Sequence, residues 1–144
     1  MTTPTWDDLP TVVRARLEND LAPTGPAVPL AGGFTAGVRV HLPTDDGAVF
    51  IKAIRSISGA ADMYRAEAAA NQALPSGIGP QLLTSFEDDG WVVLAFDFVT
   101  GRHPDLTPGS PDLQSVIDAI GQLHDSLTPC PLRDAPRDRQ QPGP

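Results

Sequence analysis

Two apolar runs, "GVRVHL" and "AVFIKAI", flank the segment "PTDDG", and this hairpin restricts the fold more than any other stretch of the chain. In the first run Val38, Val40 and Leu42 alternate with Arg39 and His41, the period of a half-buried strand. Asp46-Gly47 favours the left-handed backbone that tight hairpins need. In the return run Val49, Ile51 and Ala53 share one face while Phe50, Lys52 and Ile54 share the other. Both faces are apolar except at Lys52, the only lysine in the chain. A chain of 144 residues has room for one core around such a sheet, and not for two.

The flanking segments add helices on either side. "TWDDLPTVVRARLEND" opens on Thr5, carries acidic residues in its first turn and places Val12, Val13, Ala15 and Leu17 along a partly amphipathic helix over 5–19. "LAPTGPAVPL" is a Pro/Gly connector. "SGAADMYRAEAAANQAL" is the strongest helical stretch, with Met63, Ala66, Ala70, Ala73 and Leu74 at helical spacing and a stop at Pro75 and Gly77. "PQLLTSFEDDGWVVLAFDFV" reads as strand, Asp-Asp-Gly turn and strand, and "TGRHPDLTPGS" as a linker. Ser110 as N-cap and Pro111 at the first helical position begin a last helix, with Leu113, Val116, Ile117, Ile120, Leu123 and Leu127 on one face. "TPCPLRDAPRDRQQPGP" has little to bury and predicts a disordered tail over 128–144. The order predicts an α+β fold with a mainly antiparallel sheet, since helices do not alternate with strands throughout.

The formal net charge is −8 and the arginines are scattered, which argues against a nucleic-acid partner. One cysteine, Cys130, excludes a disulfide framework and gives no metal-ligand spacing. No window approaches the roughly 20 apolar residues of a membrane span. "MTTPTWDDLP" lacks the basic start and apolar run of a signal peptide, so the expected location is the cytoplasm.

Three places carry candidate chemistry. An ammonium at Lys52, among apolar neighbours, is expensive to bury unless an anion meets it. Glu67, fifteen residues on, is the sole glutamate of the alanine-rich helix and stands in its interior, away from the ends where it would serve the helix dipole. A strand lysine held by a helix glutamate can present its head to nucleotide phosphates. An edge-strand solubilising charge and a solvated helix charge are the bland alternative for the same two residues. "LAGGFTAGV" places Gly32, Gly33 and Gly37 where backbone amides can approach phosphates, or where a hairpin simply turns. "WVVLAFDFVTG" ends an apolar strand in peptide groups free to bond a purine edge, or merely runs into a loop.

Taken together and in order, "GGFTAGVRVHL", "VFIKAI", "YRAEAAANQAL", "GPQLLTSFEDDGWVVLAFDFVTGRHPDL" and "IDAIGQLHDSL" resemble successive segments of aminoglycoside phosphotransferase-like kinases, from about Trp6 to about Leu132. The resemblance implies a kinase-like N-terminal lobe over 1–99, with a five-stranded sheet and one covering helix within 28–99. It also implies a hinge over 100–111 and the first helix of a second lobe over 112–127. Lys52 would contact the α/β-phosphates of ATP, and Glu67 would orient it. Gly33, Phe34, Thr35 and Gly37 would belong to the phosphate-covering loop. Phe96 would flank the adenine, with the Asp97 carbonyl and the Val99 amide making hinge hydrogen bonds. His124 would pack in a core, whereas His41 and His103 read as surface residues.

The family's transfer chemistry uses an HGD-type loop ending in Asn and a later Asp, placed after the helix over 112–127, to hold Mg²⁺ and the acceptor hydroxyl. The sequence has no HGD, and its one His-Asp pair, in "LHDS", lies mid-helix without a downstream Asn. The resemblance therefore implies a truncated phosphotransferase for a small hydroxylated molecule, inactive alone. The alternatives are a non-catalytic nucleotide- or partner-binding module, and an unrelated small α+β domain in which Lys52 is incidental. With its second lobe absent, the apolar stripe of helix 113–127 would invite self-association.

Overall fold

The computed structural model describes residues 2–133 and is α+β, with three α-helices and a five-stranded open antiparallel sheet. The elements run α1 (Thr11–Leu21), β1 (Val28–Pro29), β2 (Val38–Thr44), β3 (Gly47–Arg55), α2 (Ala61–Ala73), β4 (Leu82–Asp88), β5 (Trp91–Asp97) and α3 (Asp112–Leu127). The strand order is β1-β2-β3-β5-β4, so the two hairpins lie side by side and β3 pairs with β5 at the centre.

The first helix begins later than the sequence pattern suggests. Thr5 caps only a short 3-10 turn, Trp6–Asp8, through hydrogen bonds from its N–H and hydroxyl to the Asp8 carboxylate at 2.7 and 2.9 Å. Pro10 forces Leu9 into extended backbone (ψ 139), which ends that turn, and α1 starts afresh at Thr11. Val13 and Leu17 are buried, whereas Val12 is exposed.

The β2–β3 turn also differs by one position: Asp45 and Asp46 form it, while Gly47 opens β3 with φ 131. The β4–β5 turn matches its sequence signature, because Asp89 (φ 43) and Gly90 (φ 77) take the two left-handed conformations of the tightest hairpin connection.

Both faces of the sheet are covered, and by different helices. Val38, Val40, Leu42, Val49, Ile51, Ala53, Trp91, Val93 and Ala95 pack on one face with Leu9, Val13 and Leu17. On the other face Ile54, Val92, Leu94 and Phe96 pack with Ala61 and Tyr64 of α2. The N-terminal helix is thus a second covering layer, not an appendage to a sheet with one covering helix. Within α2 the buried edge runs through Ala61, Tyr64 and Ala68, and Met63 and Ala66 face outward, contrary to the spacing read from the sequence.

The third helix keeps its predicted bounds, Asp112–Leu127. Ser110 Oγ accepts the Asp112 N–H at 3.2 Å, as a cap does, although Pro111 is the formal flanking residue. None of the helix's residues is buried, so the packed position expected for His124 is not found; that imidazole is exposed. Thr128 to Arg133 form neither helix nor strand, and the rest of the expected tail, 134–144, lies outside the described residues.

Candidate functional site

Lys52 sits at the middle of β3, opposite Arg39 on β2 and Leu94 on β5. Its side chain therefore rises on the face that α2 covers. The helix is fixed there by two ties to β4. Arg65 binds the Glu87 carboxylate in bidentate fashion, from Nε at 3.1 Å and Nη2 at 2.7 Å, and binds Asp62 at 2.7 Å. The Arg65 bond holds Glu87 below the usual carboxylate range. Towards the other end, Asn71 donates to the Pro80 carbonyl at 2.8 Å and accepts the Leu82 N–H at 2.9 Å. Glu67 lies between the two ties.

The result is the pairing expected from the sequence: Lys52 Nζ donates to Glu67 Oε2 at 2.6 Å, with the lysine side chain 19% exposed and the glutamate 42%. The ammonium also lies 4.4 Å from the centroid of the Tyr64 ring. A charge-assisted bond and a cation–π contact together answer the cost of burying a lysine between apolar strands. An ammonium carries three donors, so one carboxylate oxygen and a ring face leave it capacity for a further anion.

The glycine-rich segment between β1 and β2 reaches the same place. Thr35 Oγ1 and Tyr64 Oη are 2.9 Å apart, and Arg39 Nη1 donates to the Thr35 carbonyl at 2.8 Å. Gly37 is buried where a Cβ would stand 2.6 Å from both the Ala53 oxygen and Tyr64 Oη, so only glycine lets the loop come this close. Gly33 is exposed with φ 93, and Phe34 points fully into solvent.

Phe96 stacks on Phe50 across β3 and β5, centroids 6.5 Å apart. Both rings line a cavity of about 280 Å³ that also touches Glu67 and Leu74. Asp97 is engaged at both its N–H and its side chain: the N–H donates to the Gln81 carbonyl at 3.0 Å, and the carboxylate accepts the Gln81 N–H. Phe98 N–H bonds the Ala48 carbonyl at 3.1 Å, which by strand alternation turns the peptide groups of Asp97 and Val99 to the opposite edge. Val99 is exposed. His41, expected at the surface, is half-buried with its ring edge-on to Phe98 at 4.7 Å. His103 is exposed.

A larger concavity, about 710 Å³, lies beside the β2–β3 turn, and Asp20, Asp45, Asp46 and Asp97 are among its lining residues. Four carboxylates repel phosphate, so size does not locate an anion site in this molecule. Among the described residues there is also no grouping of three or more His, Cys, Asp or Glu side chains suited to a metal ion, and no helix is long and apolar enough to cross a membrane.

Lys52, Glu67, Thr35 and Gly37 thus converge, while Phe34 and Val99 stand away from them. Tyr64, Arg39 and Phe50 also belong to the cluster, although the sequence pattern does not mark them. Tyr64 alone has another readable signal: it is the chain's only tyrosine and precedes Glu67 by one helical turn. Comparison with protein-family models finds no match, and none is found among curated proteins.

Proposed function

We propose that this chain binds ATP in the manner of the N-terminal lobe of aminoglycoside phosphotransferase-like kinases, with Lys52 on the α/β-phosphates and Glu67 orienting it. The observation that carries this reading is the 2.6 Å Lys52–Glu67 bond between a central strand and its covering helix. The glycine-rich loop anchored beside it supports the same assignment, because amides of such a segment suit phosphate oxygens. Phe50 and Phe96 offer an apolar surface for the base, and the Asp97 carbonyl and Val99 amide, on the edge turned away from β3, suit a purine edge.

ATP fits these residues; Mg²⁺ does not. Among the described residues the one carboxylate placed at Lys52 is Glu67, already bonded to the ammonium, so they supply no ligand set there for the metal that accompanies ATP. Accordingly the residues described hold and orient phosphates, and no transfer step to a small hydroxylated acceptor is assigned to them. That same feature favours a second reading, a nucleotide-binding module without chemistry of its own.

Thermal unfolding with Mg·ATP tests the binding claim. At a hundredfold excess over Kd the nucleotide should add about 2.7 kcal/mol of stability. The wild type should melt several degrees higher and Lys52→Ala should not respond. Equal melting of both proteins with and without ATP would show the nucleotide reading to be wrong.

A further inference from the structure

We propose that Tyr64 is the positioning residue of this site, tying the glycine-rich loop and Lys52 to one point on α2. The inference rests on the nucleotide reading for its purpose, although the tie itself is a matter of geometry. The two parts of the tyrosine touch different things. Its ring lies under the Lys52 ammonium at 4.4 Å, and its hydroxyl, 2.9 Å from Thr35 Oγ1, reaches out of the helix to the loop. One turn along the same helix face, Glu67 takes the lysine itself.

Thr35 is the loop's fixed point. Its side chain meets Tyr64 and its carbonyl meets Arg39, while its neighbour Phe34 extends into solvent. Gly37, at the other end of the bend, is stripped of a Cβ where one would collide with the phenol oxygen. A phenylalanine would bury the same ring in the same core, since Tyr64 is only 2% exposed. The hydroxyl thus adds nothing to packing, and its partner is the loop. Holding Thr35 and Lys52 to a single side chain fixes the height of the loop amides above the lysine, which is the distance that phosphates would occupy.

Tyr64→Phe and Thr35→Val, singly and together, test the tie in the full chain. Hydrogen–deuterium exchange of residues 32–38 should quicken about fivefold in each single variant, as expected for the loss of one hydrogen bond. It should quicken no further in the double variant, and peptides from α2 should be unchanged. The affinity for ATP should fall several-fold in Tyr64→Phe while that for adenosine stays the same. Unchanged loop exchange in either single variant, or effects that multiply in the double, would overturn the tie. Equal weakening of ATP and adenosine would reduce Tyr64 to a structural role and overturn the positioning claim. A wild type that binds neither ligand, but shows the expected exchange pattern, would leave the loop tie standing and remove its role toward phosphates together with the nucleotide reading.

Discussion

At the scale of the residue, Lys52 is a charge kept where an apolar side chain would serve stability equally well. Replacing a half-buried ion pair's lysine by a side chain of similar shape removes desolvation as well as attraction, and the two nearly cancel. Lys52→Met should therefore change unfolding free energy by less than about 1 kcal/mol. Glu67→Ala leaves the ammonium with only the Tyr64 ring, and should cost about 1–2 kcal/mol, moderated because Glu67 is open to water. Chemical denaturation of the two variants checks this asymmetry; a larger loss in Lys52→Met would mean the pair exists for stability. Lys52 and Glu67 were legible in the sequence because each is the only residue of its kind in an otherwise apolar or alanine-rich segment. Tyr64 and Arg39 were not, because what they touch depends on how strand, loop and helix meet.

At the scale of the element, helix α2 is positioned by side chains at two points along β4, and its register there decides whether Glu67 meets Lys52. Its bounds were readable, but its buried edge was not: a run of alanines has no marked apolar side, and the fit of Tyr64 against Leu94 and Phe96 chooses one. The hairpins were readable from their turn residues, with the β2–β3 turn displaced by one position. Helix α1 starts later than its sequence pattern because Pro10 breaks that pattern after a single 3-10 turn. Helix α3 has a local tether of a different kind. Arg102 grips Asp112 at 2.6 and 2.9 Å, and Asp105 N–H adds a bond at 2.8 Å. The Arg102 bond, then the Asp105 amide, hold Asp112 below the usual carboxylate value. A carboxylate whose folded pKa is depressed contributes fully above its unfolded value, about 4, and loses that contribution as pH falls through the folded pKa. The first turn of α3 should loosen on acidification below about pH 4, and Arg102→Ala should loosen it already at neutral pH. Amide exchange of Asp112–Val116 across pH, corrected for intrinsic rates, would show it; an acid response as large in Arg102→Ala as in the wild type would assign the tether elsewhere.

At the scale of the whole molecule, a sheet with apolar side chains on both faces is closed by α1 on one side and α2 on the other, and α3 lies outside that arrangement. Ile117, Ile120 and Leu123 remain exposed along one stripe. That stripe predicts self-association at high protein concentration, opposed by the net charge of −8 and so favoured by added salt. Sedimentation velocity of the wild type against Ile120→Asp should show the variant to be the less associated of the two; identical profiles would mean that the stripe does not drive association. The α+β class and the antiparallel sheet were legible from the alternation of the two hairpins. The two-sided covering was not, because α1 carries only a weak apolar pattern and the sheet, not the helix, recruits Val13 and Leu17.

The composition of the chain permits a direct view of whether Lys52 holds a nucleotide's phosphates. With lysine labelled at the ε-carbon and the ζ-nitrogen, this protein gives one side-chain signal, because Lys52 is its only lysine. Titration with ATP and with ADP should move that signal to a common saturating limit, adenosine should leave it near its starting position, and Glu67→Gln should alter it before any ligand is added. A Lys52 resonance that stays in place at saturating ATP would mean that Lys52 does not hold the phosphates.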